Sequence, residues 1–288
     1  MSKPKILIQL DSDPHASVFD AVVATDAGVD RLLQYGGVEP TAVRDLVHGA
    51  IFTRGPQDLA NTAIFIGGSS AKAGEELLGQ VTAVFFGPLR VSVLLDANGA
   101  NTTAAAAVLA AAKHVKLRGA TAAVLGGTGP VGERAARLLA RQGARVRVAS
   151  RSQERAGEVC RRIANLVAEA QLTPMQCASA PETAAALDGA HVLIAAGAAG
   201  VELVSDEARR QSTSLQVAID LNAVPPVGIA GIQATDKAKE RDSVVCYGAI
   251  GVGGAKMKIH RAAIQRLFTA SDLVLDAEQV FQIGQEIA

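Results

Sequence analysis

Seven residues, Gly126-Gly127-Thr128-Gly129-Pro130-Val131-Gly132, follow the apolar run Ala122-Ala123-Val124-Leu125 and open a stretch with helical periodicity. Glycines at 127, 129 and 132 between a strand signal and a helix signal demand a tight turn whose backbone can be approached closely. Amides at such a helix start point outward and the macrodipole adds positive potential, so Gly127 to Gly132 read as a phosphate cradle. Pro130 suits a first-turn position, where no amide partner is lost. Beyond it, Val131, Ala135, Leu138 and Leu139 share one face, Glu133, Arg134, Arg137 and Arg141 the other, and Gly143 is a stop signal. This is the pattern of a crossover helix in a parallel α/β unit.

The next strand narrows the ligand. An NAD site places Asp or Glu about 20 residues after the glycines to bind the ribose 2'-hydroxyl. Here Arg145-Val146-Arg147-Val148-Ala149 runs into Ser150-Arg151-Ser152-Gln153-Glu154-Arg155. Arg151 can stack on adenine and pair with a 2'-phosphate, with Ser150, Ser152 and Arg155 as further donors, which favours NADP. Ala196 and Gly197, in the small-residue run Ala195 to Gly200, offer backbone to the nicotinamide ribose; tight packing is the alternative. A third glycine cluster, Tyr247 to Gly254, is read as a loop whose Gly251 lies against a flat ring, with an interdomain turn as the alternative.

Formal charge is balanced, 28 basic against 28 acidic residues in 288, so nothing in the whole molecule argues for nucleic acid or an anionic membrane. The balance conceals a local excess: Lys113 to Arg162 holds twelve Lys or Arg against three Glu. Cys160, Cys177 and Cys246 form no metal or disulfide spacing, which fits a reducing cytoplasm, and the five histidines suggest no metal site. The start, Ile6-Leu7-Ile8-Gln9-Leu10, is too short for a signal-peptide core. Ala104 to Ala112 falls short of the roughly 20 apolar residues a membrane span needs and is read as a buried helix.

Strand-like runs alternate with helical ones throughout, which predicts an α/β fold with largely parallel sheets in two domains. In the first, strands are expected at Ile6 to Leu10, Ala63 to Ile66 and Val91 to Leu95, and helices at Ser17 to Leu33, Thr41 to Ala50 and Ala71 to Val84. The second has strands at Ala122 to Leu125, Val146 to Ala149, His191 to Ala196, Gln216 to Asp220 and Val244 to Tyr247. A helical tail from Lys256 to Ile287 is expected to return to the first domain. The boundaries are thus 1–115 with 256–288, and 116–255, hinged around a cleft. Polar residues gather at strand ends of the first domain: Asp11 and Asp13, and the run Asp96 to Thr103, with Asp96, Asn98, Asn101 and Thr102 as ligand-binding candidates. An N-cap at Thr102 or Thr103 and a turn at Asn98-Gly99 are the alternatives. Ser17 can cap the first helix and Asp20 can answer its dipole.

At these residues the chain resembles the bacterial NADP-dependent methylene-tetrahydromethanopterin dehydrogenases, some of which also act on methylene-tetrahydrofolate. The likeness is carried by Ser17-Val18-Phe19-Asp20, Thr53-Arg54-Gly55, Phe86-Gly87-Pro88, Asn98 to Thr103, the glycine cradle, Asn222 to Ile229, Ala234 to Lys237 and Gly248 to Arg261. It implies a pterin-binding N-terminal domain, an NADP-binding Rossmann domain, a cleft closing on both substrates, and a homotrimer in formaldehyde oxidation during methylotrophic growth. Asn222 and Gly251 then join the cofactor contacts. Ser17, Phe19, Asp20 and Lys256 join the pterin contacts, Asp20 facing the developing cation and Lys256 orienting the carrier. Two readings compete: a shikimate-type NADP dehydrogenase, whose Lys-Asp pair and Asn-Thr-Asp signature are not found here, and a non-catalytic NADPH sensor.

Overall fold

The computed structural model describes residues 3–288. The chain begins with β1 (Ile6–Asp11), α1 (Val18–Asp26), β2 (Arg31–Tyr35), α2 (Pro40–Ile51), β3 (Thr62–Gly67), α3 (Ala71–Ala83), β4 (Ser92–Leu95) and α4 (Ala100–Ala112). The helix expected over Ser17 to Leu33 stops at Asp26, Gly28 takes a φ of +84°, and Arg31–Tyr35 becomes a strand parallel to β1. Its exposed, mixed composition hides it: β2 is an edge strand with no strictly alternating face for a sequence reading to find. α4 is buried on every side, with Ala104 to Val108 at 0% exposure, so its alanines allow close packing all round.

The second unit contributes β5 (Thr121–Leu125), α5 (Pro130–Arg141), β6 (Arg145–Ser150), α6 (Gln153–Leu166), β7 (Gln171–Gln176), α7 (Ala180–Leu187), β8 (Val192–Ala195), α8 (Asp206–Gln211), β9 (Val217–Asp220), β10 (Lys239–Arg241) and β11 (Val244–Tyr247). The chain closes with α9 (Ala249–Arg266), β12 (Val274–Leu275) and α10 (Ala277–Ile287). The tail is therefore not one helical stretch, because β12 interrupts it and pairs parallel with β4. That pairing puts the β12 strand on the sheet that contains β4.

Two compact units result: one runs up to Thr102 and takes in Met257–Ala288, the other is Thr103–Lys256. The junctions fall inside α4 and α9, where the sequence reading put the first one after residue 115. The first unit holds a five-stranded parallel sheet, β12-β4-β3-β1-β2. The second holds β10-β11-β9-β8-β5-β6-β7, parallel except for the β10–β11 hairpin. From β7 to β11 this is the doubly wound order in which the strand order reverses beside β5, where such sheets bind dinucleotides.

Each unit has its own core. Leu10, Val47, Ile51, Ile66, Val81 and Val93 anchor the first, and Leu125, Leu193, Ala195, Ala218, Ile229 and Cys246 the second. Burial pushes the Cys246 thiol up to about 11, so it serves as an apolar filler.

The glycine cluster after β11 is not a loop. It forms the first turns of α9, laid directly on the segment 233–237: a Cβ on Gly248 would sit 2.1 Å from the Gln233 carbonyl oxygen, and one on Gly251 1.8 Å from that of Asp236. The segment is held by Asp236, whose carboxylate takes a bidentate pair from Arg241 at 2.6 and 2.8 Å and the Gln233 amide at 2.8 Å. The guanidinium holds the Asp236 carboxyl below its ordinary value of 3.8. Since the unfolded chain binds that proton more readily, the stabilisation is present above 3.8 and is lost as pH falls toward the lowered value. Arg241→Ala should destabilise the protein by about 3 kcal/mol at neutral pH. Urea melts should show the gap to wild type narrowing as the pH drops below the aspartate range.

Candidate functional site

In the second unit, the C-terminal ends of β5, β6, β7 and β8 enclose a cavity of about 300 Å³. The glycine turn forms its floor. Gly126 takes a φ of +72°, and a Cβ there would lie 2.6 Å from the Ala196 carbonyl oxygen and 2.7 Å from the Gly197 amide nitrogen. Only glycine allows the β5 and β8 loops to meet this way. At Gly132 a Cβ would lie 2.3 Å from the Gly126 carbonyl oxygen, and at Gly127 2.8 Å from Val148 Cγ1, so these two glycines seat α5 and the turn. Gly129 is the N-cap of α5, with Pro130 at its first turn, leaving the amides at the helix start available to an anion.

Of the cofactor candidates, Thr128, Gly129, Ser150, Arg151, Ser152, Arg155, Ala196 and Gly197 line this cavity together. Thr128 Oγ1 and Ser150 Oγ are 3.3 Å apart, and Ser152 caps α6 by accepting the Arg155 amide. No Asp or Glu is among the described residues that line the cavity, which holds two guanidinium groups. That donor set fits a dinucleotide with an additional phosphate and offers nothing to accept a bond from a free ribose 2'-hydroxyl in the manner of NAD sites.

Gly127, Pro130, Val131 and Gly132 shape the cradle from behind. Two candidates lie elsewhere. Asn222 is buried at 6%, its side chain accepting the Val224 amide and donating to the Pro226 carbonyl, so it braces its own loop. Gly251 rests on Asp236, as above. Cys177 and Thr183 were not foreseen, yet both line the cavity. Burial and the Glu182 charge push the Cys177 thiol up, against a hydrogen bond with Thr183. The signal for them is their place just beyond β7, a strand disguised by Pro174 and tolerated because β7 is an edge.

In the first unit, the strand-end residues divide into framework and surface. Asp96 (2% exposed) accepts the amides of Asn101 and Thr102 and the Thr102 hydroxyl at 2.6 Å. Asn101 (1% exposed) donates to the Leu95 carbonyl at 2.6 Å and to Asp276 at 2.9 Å. With Thr102 at 0% exposure, these three side chains are turned into the fold and hold its backbone in this structure. Asn98, held at a φ of +57°, is the member of that group exposed on the surface.

Asp11 plays the same part at β1: fully buried, it accepts the Asp13 amide at 2.9 Å and the Ser17 amide at 3.1 Å. Ser17 caps α1 by accepting the Asp20 amide. Asp20 is partly buried in the first turn, and a Cβ on Gly67 would lie 3.3 Å from Asp11 Oδ2 and 3.4 Å from Asp20 Oδ2. Two carboxylates thus converge on the space that Gly67 leaves. Phe19 is 50% exposed beside them, and Lys256 is partly buried in α9. Among the described residues no His, Cys, Asp or Glu group could hold a metal ion, and no helix is long and apolar enough to cross a membrane.

Residues 18–98 match the N-terminal domain of methylene-tetrahydromethanopterin dehydrogenase, and residues 108–237 match shikimate/quinate 5-dehydrogenase. The chain is 44% identical, over 100% of both lengths, to a protein of Methylorubrum extorquens named bifunctional protein MdtA. It is 34% identical, over 98% of both lengths, to the NAD(P)-dependent methylenetetrahydromethanopterin dehydrogenase of that organism. The chain belongs to the methylenetetrahydromethanopterin dehydrogenase family. Quinate dehydrogenase of Corynebacterium glutamicum, solved with NAD, shares the fold of this family member at a TM-score of 0.50 with 14% identity, covering 98% of this chain and 99% of that one. The shikimate-type match is confined to the half that carries the dinucleotide cavity.

In this dehydrogenase-family chain the charge pair at Arg151 and Arg155 should decide between cofactors. Arg151→Ala should raise the KM for NADP about 10- to 100-fold and leave that for NAD within about twofold. Equal losses for the two would mean that Arg151 does not read the 2'-phosphate.

Proposed function

We propose that this protein is an oxidoreductase of one-carbon metabolism that moves a hydride reversibly to NADP from a methylene carrier, methylene-tetrahydromethanopterin or methylene-tetrahydrofolate, to yield the methenyl carrier. The observation that carries the reading is the cavity with its glycine floor, two arginines and no Asp or Glu among the described residues lining it, in a chain that aligns over 98% of its length with a relative named NAD(P)-dependent methylenetetrahydromethanopterin dehydrogenase. Bound NADP supplies the nicotinamide carbon that accepts the hydride.

The carrier's own chemistry sets what the protein has to do. The reacting methylene carbon lies between two nitrogens whose lone pairs stabilise the cation left behind, so no proton is abstracted and no general base is needed. What remains for the chain is to hold, orient and exclude water. The amides at the start of α5 and the Thr128 hydroxyl hold pyrophosphate; Arg151, Arg155, Ser150 and Ser152 hold the 2'-phosphate. On the carrier side, Asp20 lowers the energy of the developing positive charge, with Asp11 deepening the negative potential from behind. Phe19 packs on the pterin, Ser17 and Asn98 supply polar contacts, and Lys256 orients the carrier by its carbonyl. We place the enzyme as a homotrimer in the cytoplasm, oxidising formaldehyde-derived units in methylotrophic growth.

Purified protein given NADP and methylene-tetrahydromethanopterin should produce NADPH and methenyl absorbance in step. Absence of both with NADPH binding intact would replace the enzyme with a sensor. In single-turnover measurements with a deuterated methylene group, Asp20→Asn should slow hydride transfer about 10- to 100-fold. An unchanged rate would remove Asp20 from the mechanism.

A further inference from the structure

A second cavity, about 360 Å³, lies in the first unit between α1, α9 and α10, and nothing in the hydride-transfer scheme uses it. It is lined by Asp26 at the end of α1, by Lys258, Arg261, Ala262 and Gln265 of α9, and by Ile287 of α10. The four α9 residues follow the i, i+3, i+4, i+7 spacing and so form one stripe. Among the described residues neither Lys258 nor Arg261 makes a side-chain hydrogen bond or ion pair, and Asp26 offsets only one of their two charges.

The cavity is connected to the carrier site by α1 itself. Asp20 stands in its first turn and Asp26 at its end, six residues or about 9 Å along the axis. From its first turn toward Asp26 the helix presents Val18, Phe19 and Val22 at 75%, 50% and 55% exposure, an uncovered apolar strip. A ligand lying along α1 from its first turn thus meets the Asp20 carboxylate, an apolar track and then Lys258 and Arg261 beside Asp26.

We propose that this cavity is the subsite for the acidic tail of the one-carbon carrier, with Lys258 and Arg261 receiving its carboxylate or phosphate groups. The inference rests on the carrier assignment above and extends it from the pterin to the other end of the molecule. Both carriers join the pterin through an aryl linker to an anionic tail, glutamyl carboxylates in tetrahydrofolate and carboxylates with a phosphate in tetrahydromethanopterin. The apolar strip suits the linker and the cation pair suits the tail.

The test uses the full-length enzyme at saturating NADP with three methylene carriers: tetrahydropteroate, which lacks the tail, tetrahydrofolate, and its triglutamyl form. Wild type should show KM falling about tenfold from the first to the third, and the difference should shrink at high ionic strength. Lys258→Ala with Arg261→Ala should raise the triglutamyl KM to the tetrahydropteroate value, leaving kcat, the tetrahydropteroate KM and the NADP KM unchanged. Lys258→Arg should retain most of the preference. With methylene-tetrahydromethanopterin, a larger rise in the double variant than for the triglutamyl carrier assigns the pair to the phosphate, and a smaller one to carboxylates. A wild-type KM independent of the tail, or a variant that weakens tetrahydropteroate equally, overturns the subsite while leaving the carrier assignment standing. Failure of wild type to turn over any carrier overturns both. Should the double variant misfold, the salt dependence of the wild-type preference decides alone.

Discussion

The contact on which the nucleotide half depends is between two stretches of backbone: Gly126, in the left-handed region, against the Ala196 carbonyl and the Gly197 amide. It brings the loops after β5 and β8 together at the point where the strand order switches, and that junction sets the depth of the cavity. Any side chain at Gly126 would force the loops apart and move the α5 amides with them. Gly132, packed on the Gly126 carbonyl from the helix side, fixes the same junction from behind. The glycines therefore act on each other's positions first and on the ligand second.

Three strand-end aspartates repeat one device. Asp11, Asp96 and Asp220 end or follow β1, β4 and β9, are at most 2% exposed, and each accepts backbone amides from the segment that comes next, a helix start in the case of Asp96. Burial pushes the Asp220 carboxyl up while the Asn222, Gly228 and Ile229 amides pull against it, the balance of a carboxylate used as a fastening for loop backbone. A loop fastened this way keeps its exposed members in place at little entropic loss when a ligand arrives. In the first unit the beneficiaries are Ser17 and Asp20 behind Asp11, and Asn98 behind Asp96.

The same device explains where sequence reading succeeds and where it stops. The glycine turn and the crossover helix are legible because spacing and residue type answer to a single demand, a tight turn into a helix start. For Asp96, Asn101 and Thr102 the sequence leaves the role open, because a carboxylate that pins amides and one that meets a ligand have the same letter and the same position after a strand. β2 and β7 are obscured by edge composition, the latter by Pro174. At Gly248 and Gly251, glycine signals close approach, and the sequence cannot say that the approaching body is the segment 233–237 and not a bound ring.

Hydride transfer from a carbon flanked by two nitrogens makes this economy of reactive groups coherent. A reaction that needed a base would require a titratable side chain held at the surface with a tuned proton affinity, and a buried aspartate fastened by amides could not serve. Here the buried carboxylates can be committed to structure because the chemistry asks for position and a favourable potential. Asp20 differs from Asp11, Asp96 and Asp220 in the respect that matters: it sits on a helix turn rather than at a strand end, and it is partly exposed. Its carboxylate converges with that of Asp11 on the gap left by Gly67, so the exposed charge acts with a fixed one behind it. On the function proposed above, such a potential, set without a proton to move, is the condition under which a methylene carrier can lose hydride and leave a stable cation.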